Sequence, residues 1–340
     1  MARPDATDSP RREPTAEVAP EALLGVAPGI AHAEGPPPGG RATPFWAWAV
    51  LLFLGVVWGL TFSLAKIAVG GGAHPLGIAL WQALLGAAIL GAVAVARHRR
   101  LSVKPWALQI YVICGLLGSV IPGVLFFYAA SRVPAGVLSI TVTVVPILTF
   151  VLSALFGLDR FGVLRVMGVL FGALAVVLLV APEQSLPDPG AAPWVLAACA
   201  ASACYAVENL VIALRMPDGA DPFMVTFGMF LAASAMLAPV VIATGSFVAL
   251  IWPWGPVEWS IVGMAAVSAL AYGLYIYLIG AAGPVFASQV AYAVTLAGVL
   301  WGMALFGERH SPWIWLSLAL MLAGLALVAP RKRKRVPTPD

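Results

Sequence analysis

The sequence predicts an all-α integral membrane protein with ten transmembrane helices arranged as two inverted five-helix repeats. Three observations support this fold class. Of the 340 residues, 61% are hydrophobic and only 10% are charged, whereas about a quarter of the residues of a soluble protein are charged. Apolar segments of helical length alternate with short breakers, and short motifs of the first half return in the second half.

Ten apolar segments are long enough to cross a bilayer, which takes about 20 residues as a helix. Proline, glycine and charged residues separate them. The predicted spans are 44–69, 75–97, 105–129, 134–157, 161–182, 193–214, 222–244, 257–279, 284–306 and 312–330. Because the loops between them are short, consecutive helices must be antiparallel.

The basic residues predict the orientation through the positive-inside rule. With both termini in the cytoplasm, the outer loops contain only Arg132 and Arg309 as basic residues. The inner loops contain Arg97, Arg99, Arg100, Lys104, Arg160, Arg165 and Arg215, and the "RKRKR" run at 331–335 follows the last span. An odd number of helices would destroy this asymmetry. We therefore expect a multi-pass protein of the plasma (inner) membrane with both termini cytoplasmic.

The segments outside the spans complete the expected domain organisation. Residues 1–43 are rich in proline, alanine and glycine and poor in bulky apolar residues, which is typical of a disordered cytoplasmic tail. They lack the compact apolar run of a signal peptide. The two repeats are predicted at 44–182 and 193–330, joined by an outer linker at 183–192, and a basic cytoplasmic tail follows at 331–340.

The two halves share motifs in the same order and at similar spacing. "AHPLGIALWQ" after the first span matches "ADPFMVTFGM" after the sixth, and "FGLDR" after the fourth matches "FGERH" after the ninth. "GALAVVLLVAP" and "AGLALVAP" close the two halves. Since five is odd, the second half would enter the membrane from the opposite side. Inverted repeats of this kind are typical of alternating-access carriers.

The chain resembles the EamA-type branch of the drug/metabolite transporter superfamily over about residues 44–330. The motifs that carry the resemblance are "WGLTFSLAK", "HPLGIALWQ", "GVLSITVTVVPILTFVLSALFGLDR", "GVLFGALAVVLLV" and "ASQVAYAVTLAGVLWGMALFGE". The resemblance implies ten helices in two homologous halves. It also implies amino acids, related metabolites or drug-like compounds as solutes. Gln82, Thr295 and Asp159 depart from the family's usual Arg, Pro and Glu.

Glu208 is the main candidate for a functional site, because it lies inside the apolar segment "ASACYAVENLVIALR". A carboxylate in the membrane interior must face water, a hydrogen-bond donor or a ligand, or else be protonated. In the repeat alignment Thr61 matches Glu208 and Trp58 matches Tyr205. Trp58 and Thr61 are three residues apart, as are Tyr205 and Glu208, so the two side chains of each helix share one helical face. A structural hydrogen bond of Glu208 to a neighbouring helix is the alternative.

Other polar and aromatic side chains within the spans are predicted to line the same cavity. These candidates are Asn209, Gln82, Ser139, Thr141, Tyr272, Tyr275, Ser288, Gln289 and Tyr292. Hydroxyl groups also hold membrane helices together, so each serine or threonine has a packing role as its alternative. Lys66, near the outer end of the first span, is expected to extend to the lipid headgroups.

These features favour a secondary active transporter that moves small organic solutes outward, with Glu208 as the candidate proton-coupling residue. A lipid scramblase or a non-transporting membrane partner protein is the alternative. An enzyme is disfavoured, because the four histidines are scattered and lack metal-ligand spacing, and no Walker-type phosphate loop is present. We expect no cofactor and no metal. The expected partners are a small-molecule solute and the lipid bilayer, and no nucleic acid.

Overall fold

The computed structural model describes residues 45–157, 162–181, 186, 188–216, 220–282 and 290–328. This part of the chain is helical and contains no strand. Its ten helices are α1 (Phe45–Gly70), α2 (Pro75–Ala96), α3 (Pro105–Ala130), α4 (Ala135–Leu155), α5 (Val163–Val180), α6 (Ala192–Arg215), α7 (Pro222–Ala243), α8 (Pro256–Ala282), α9 (Val290–Phe306) and α10 (Pro312–Val328). The predicted tails and residues 183–185 and 187 of the predicted linker lie outside the described residues.

Most of these helices are long and apolar enough to cross a membrane. Within the described residues, α1 to α7 each contain an apolar window that meets the length and composition of a membrane span. Shorter apolar helical segments follow at Pro256–Ala271, Val290–Phe306 and Pro312–Val328. Large apolar side chains such as Leu52, Leu170 and Leu300 are exposed on the outside of the bundle, as expected of a protein whose surrounding solvent is lipid.

Two helices are interrupted next to a proline. In α3 a π-helical turn spans Leu116–Val120, immediately before Pro122. In α4 the helix tightens at residues 142–143 before Pro146, where the Val145 N–H donates to the Val142 carbonyl at 3.0 Å. Proline has no N–H and cannot donate to the residue four positions earlier, so the regular hydrogen-bond ladder is broken beside both interruptions. By contrast, α7 continues as a helix through Pro239.

The motif that the two halves share after their first helix forms the same structure twice. α2 and α7 both begin with proline at the first turn, preceded by an extended capping residue. The Leu76 N–H donates to His74 Nδ1 at 3.3 Å, and the Phe223 N–H donates to Asp221 Oδ1 at 3.0 Å. Such caps satisfy a free N–H at a helix start.

Helices of one half pack mainly on helices of the other. α1 packs on α8 and α9, while α6 packs on α3 and α4. α2 lies against α7 and α8, α3 against α7, and α5 against α10. The core therefore forms between the halves.

Glycines allow the closest approaches between the two halves. A Cβ added to Gly168 of α5 would meet the Gly324 carbonyl of α10, and a Cβ added to Gly324 would meet the Gly168 carbonyl. A Cβ on Gly59 of α1 would likewise meet the backbone of Gly298 in α9. Small residues at such crossings let helix backbones pack closely in a membrane.

Candidate functional site

A cavity of about 830 Å³ lies between the two halves of the bundle. This volume is within the range of small-molecule sites, about 300–1,000 Å³. Eight of the predicted site residues line it: Trp58, Thr61, Gln82, Tyr205, Glu208, Asn209, Tyr275 and Tyr292. Glu208 is the only Asp, Glu, Lys or Arg among the described lining residues. The described wall therefore combines aromatic, apolar and uncharged polar side chains with a single acid.

Glu208 is buried and has no hydrogen-bond partner or ion pair among the described residues. It lies on α6 and is only 6% exposed. Its carboxylate packs against Gly118, where an added Cβ would overlap both carboxylate oxygens. The alternative role, a structural hydrogen bond, has no partner in the described part of the chain. A buried carboxylate without a protein partner has to be protonated or bound to water or a ligand.

The amide side chains of the site have only long polar contacts. Asn209 Nδ2 lies 3.4 Å from Thr149 Oγ1 on α4. Gln82 Nε2 lies 3.5 Å from Ser268 Oγ on α8. Both distances are near the limit of a hydrogen bond, so both amides remain able to bind a solute.

Aromatic rings form one wall of the cavity. Trp58 and Tyr275 meet edge to face with ring centroids 6.1 Å apart. Phe62 and Phe126 lie 5.9 Å apart, between α1 and α3. Thr61 donates to the Trp58 carbonyl at 2.6 Å, which fixes its hydroxyl on the shared face of α1.

Two predicted site residues do not line the cavity. Ser139 is fully buried, and its hydroxyl lies 2.7 Å from the Gly136 carbonyl and 3.1 Å from the Thr295 carbonyl. Thr141 is fully buried and donates to the Leu138 carbonyl at 2.7 Å. Neither side chain is among those that line the cavity; both hydroxyls bond to backbone carbonyls within the packed helices, as short hydroxyl side chains often do.

The remaining candidates are not located by the structure. Ser288 and Gln289 lie outside the described residues. Tyr272 is in α8, and its side chain is likewise not described.

Several lining residues were missed by the sequence interpretation. Gly118 and Ser119 belong to the π turn, Thr149 and Ser153 to α4, and Ser268 to α8. Ser268 lies seven residues before the predicted Tyr275, which is two turns along the same helical face. The spacing to Tyr275 could therefore have predicted Ser268 as a lining residue. The "GLLGSVIPG" run next to Pro122 was the available signal for an irregular helix.

A second polar cluster lies at the meeting of the ends of α1, α4 and α9. Glu308 accepts hydrogen bonds from the Ala135 N–H at 2.7 Å and the Gly136 N–H at 3.0 Å. Lys66 is half-buried and donates to the Val133 carbonyl at 2.9 Å, so it does not extend freely to the headgroups as expected. A carboxylate at a helix N-terminus is favoured by the helix dipole. Glu308 therefore ties the second half to the start of α4.

His310 completes this cluster. Its Nε2 is buried, has no hydrogen bond to any described residue and lies 3.7 Å from Glu308 Oε2. Burial lowers the pKa of His310, and the nearby Glu308 charge partly opposes this shift. A lowered pKa keeps the imidazole neutral inside the cluster.

Apolar helices around a solute-sized cavity with one acid are what is expected of a multi-pass membrane transporter. The model of the EamA-like transporter family matches the chain twice, at residues 46–181 and 192–329. The chain belongs to the EamA-like transporter family, which the sequence motifs had indicated.

Individual relatives agree with this assignment. The chain is 26% identical over 285 residues to the uncharacterized inner membrane transporter YedA of Escherichia coli K12, covering 83% of this chain and 90% of YedA. YedA of Escherichia coli O6:H1 matches with the same values. A solved crystal structure of a protein at 23% identity has a TM-score of 0.55, covering 84% of this chain and 96% of that one, which shows a shared fold.

Proposed function

We propose that the protein is a secondary active transporter that exports small organic solutes, such as amino acids, metabolites or drug-like compounds, by alternating access. The observation that carries the proposal is the buried carboxylate of Glu208, which has no partner among the described residues and lines the cavity between the halves. In this proposal the chain has ten spans in two inverted repeats of five, with both termini in the cytoplasm. The relatives' inner-membrane assignment supports the same membrane for this chain.

The packing between the halves supports the two-repeat arrangement. In a two-repeat arrangement each helix of α1–α5 corresponds to the helix five positions later in α6–α10. The contact of α1 with α9 then corresponds to the contact of α6 with α4, and both contacts are present. In the same way, the contact of α1 with α8 corresponds to that of α6 with α3, and the contact of α2 with α8 to that of α7 with α3. An inverted repeat lets the halves exchange conformations and expose the cavity to each side in turn.

The extent of the cavity supports an inward-facing conformation. In the proposed topology, the lining residues Ser153, Ile212 and Val328 lie near the cytoplasmic ends of their helices. At the opposite end, the cavity reaches Ala65 and Leu138, but Lys66, Glu308 and His310 of the second cluster do not line it. Export begins with loading from the cytoplasm, which this conformation would permit.

The charge of the cavity supports solutes with an amino group. Glu208 is its only Asp, Glu, Lys or Arg among the described lining residues, and Trp58, Tyr205 and Tyr275 provide aromatic rings nearby. An ammonium group is attracted both by a carboxylate and by the faces of aromatic rings. We therefore propose cationic or zwitterionic solutes and proton exchange at Glu208.

Flux in proteoliposomes tests the proposal. Labelled organic amines, amino acids and neutral alcohols of matched size are followed with and without a pH gradient. Glu208→Gln should abolish gradient-driven accumulation of the amines while solute exchange continues. Glu258→Gln is the matched control, because Glu258 lies outside the cavity and accepts from the Gly255 N–H.

The outcomes separate the alternatives. Equal loss of exchange and accumulation in Glu208→Gln would show that Glu208 does not couple protons. Lipid movement without solute flux in the wild-type protein would favour a scramblase and contradict a carrier.

A further inference from the structure

The Glu208 carboxylate is held by shape and not by a hydrogen bond to any described residue. It lies over the backbone of Gly118, on the facing helix α3, and an added Cβ there would overlap the carboxyl carbon and both of its oxygens. Another glycine of α3, Gly123, also lines the cavity but leaves room, since its added Cβ would meet Phe127 only at 3.8 Å. Of these two glycines on the cavity wall, only Gly118 therefore leaves no room for a side chain.

The π turn explains how this recess forms. Leu116–Val120 is wound with i to i−5 bonds, the Ile121 N–H donating to the Leu116 carbonyl. Pro122 has no N–H and cannot donate to the Gly118 carbonyl four residues earlier, so the regular α-helical ladder breaks at Gly118. π turns are wider than α-helical turns and occur often at functional sites. The wide turn and the missing side chain together leave space that the carboxylate occupies.

We propose that Gly118 is the positioning residue for Glu208: the recess at Gly118 fixes where the carboxylate meets a proton or a solute ammonium group. This inference rests on the proposed function for its consequence in transport, but the packing itself does not. A side chain at 118 would have to displace the carboxylate, because its Cβ would overlap the carboxyl group where it now lies. A displacement of about 1 Å at a reacting group can reduce a rate by about a hundredfold.

A double-mutant cycle on thermal stability tests the packing. Gly118→Ala should lower Tm by about 5 °C, because overpacking outweighs the better helix propensity of alanine. In a Glu208→Ala background the carboxylate is absent, so Gly118→Ala should leave Tm unchanged or raise it. Gly123→Ala is the matched control and should not lower Tm, since its Cβ has room. An equal loss from Gly118→Ala in both backgrounds would overturn the proposal.

A rescue experiment tests the consequence for transport. Gly118→Ala should reduce pH-driven amine accumulation in proteoliposomes about tenfold or more. Adding Glu208→Asp shortens the acid by one methylene, makes room for the new Cβ and should restore part of the accumulation. A double variant no better than Gly118→Ala alone would refute positioning. If the double-mutant cycle shows that the Tm effects of positions 118 and 208 depend on each other, but the wild-type protein carries no flux, the proposed function is refuted and the packing inference stands.

Discussion

Glu308→Ala should destabilise the protein through the start of α4. The substitution removes the acceptor of two backbone hydrogen bonds, from Ala135 at 2.7 Å and Gly136 at 3.0 Å. Both residues are fully buried, as is the Val133 side chain beside them, so water cannot easily replace the carboxylate. Hydrogen bonds to a charged group contribute about 1.5–3 kcal/mol each. Because the neighbouring groups can partly relax, we expect a loss near the lower end of the sum, about 3 kcal/mol.

This loss can be measured as a melting temperature in detergent. At about 2 °C per kcal/mol for a large chain, Tm should fall by about 6 °C. Glu308→Gln keeps one acceptor oxygen, so its Tm should fall by about half as much. Glu258→Ala is the control, because it removes a single bond, from the Gly255 N–H at 2.9 Å, at the start of α8. A Glu308→Ala protein that melts within about 1 °C of the wild type would refute this reasoning.

Three further predictions concern other parts of the molecule. His310 has a lowered pKa in the folded protein, so the unfolded chain binds the proton more readily. Stability should therefore fall as the pH drops through the usual histidine range, about 6.5. His310→Gln should flatten the Tm–pH profile, and an unchanged slope would contradict this. Ser139→Ala removes the contact with the Thr295 carbonyl and should cost about 1 kcal/mol in unfolding with no change in solute affinity, so a changed affinity by binding assay would return Ser139 to the site. Gly168→Ala should lower Tm because its Cβ meets the Gly324 carbonyl, whereas Gly70→Ala, at the end of α1 with no described atom within 4 Å of the added Cβ, should not; equal Tm values would contradict the close packing of α5 on α10.

The helices could be predicted from the sequence because their ends are marked by strong breakers. The predicted 75–97 and 222–244 correspond to Pro75–Ala96 and Pro222–Ala243, each beginning at a proline after a capping residue. Near the interruptions inside α3 and α4, the sequence shows Pro122 and Pro146, which mark a break in the hydrogen-bond ladder but not its form. Hydropathy records the composition of a segment but not its hydrogen-bond register, so a π turn and a tightened turn look the same.

Lining residues could be predicted where burying the side chain in a membrane helix costs much free energy, and not where it costs little. Glu208 was found because a carboxylate in an apolar helix is expensive and so is present for a reason. The sequence could not show that Ser139 and Thr141 lie off the cavity wall, because a hydroxyl can be satisfied by its own helix, whichever way that helix faces. Gly118 was missed since a glycine has no polar group, and its role depends on the side chain of a different helix.

Thiol labelling at position 208 tests most directly whether this residue faces a wet cavity. Glu208→Cys is made in a protein whose Cys114, Cys199 and Cys204 are replaced by alanine, and Leu54→Cys provides a fully buried position outside the cavity as the control. A membrane-impermeant thiol reagent is applied to each side of oriented vesicles, with and without an amine solute. We expect the thiol at position 208 to be labelled, the solute to slow the labelling, and the thiol at position 54 to stay unlabelled. A thiol at position 208 that is as unreactive from both sides as the one at position 54, but reactive once the protein is unfolded, would contradict a solute-binding cavity at Glu208.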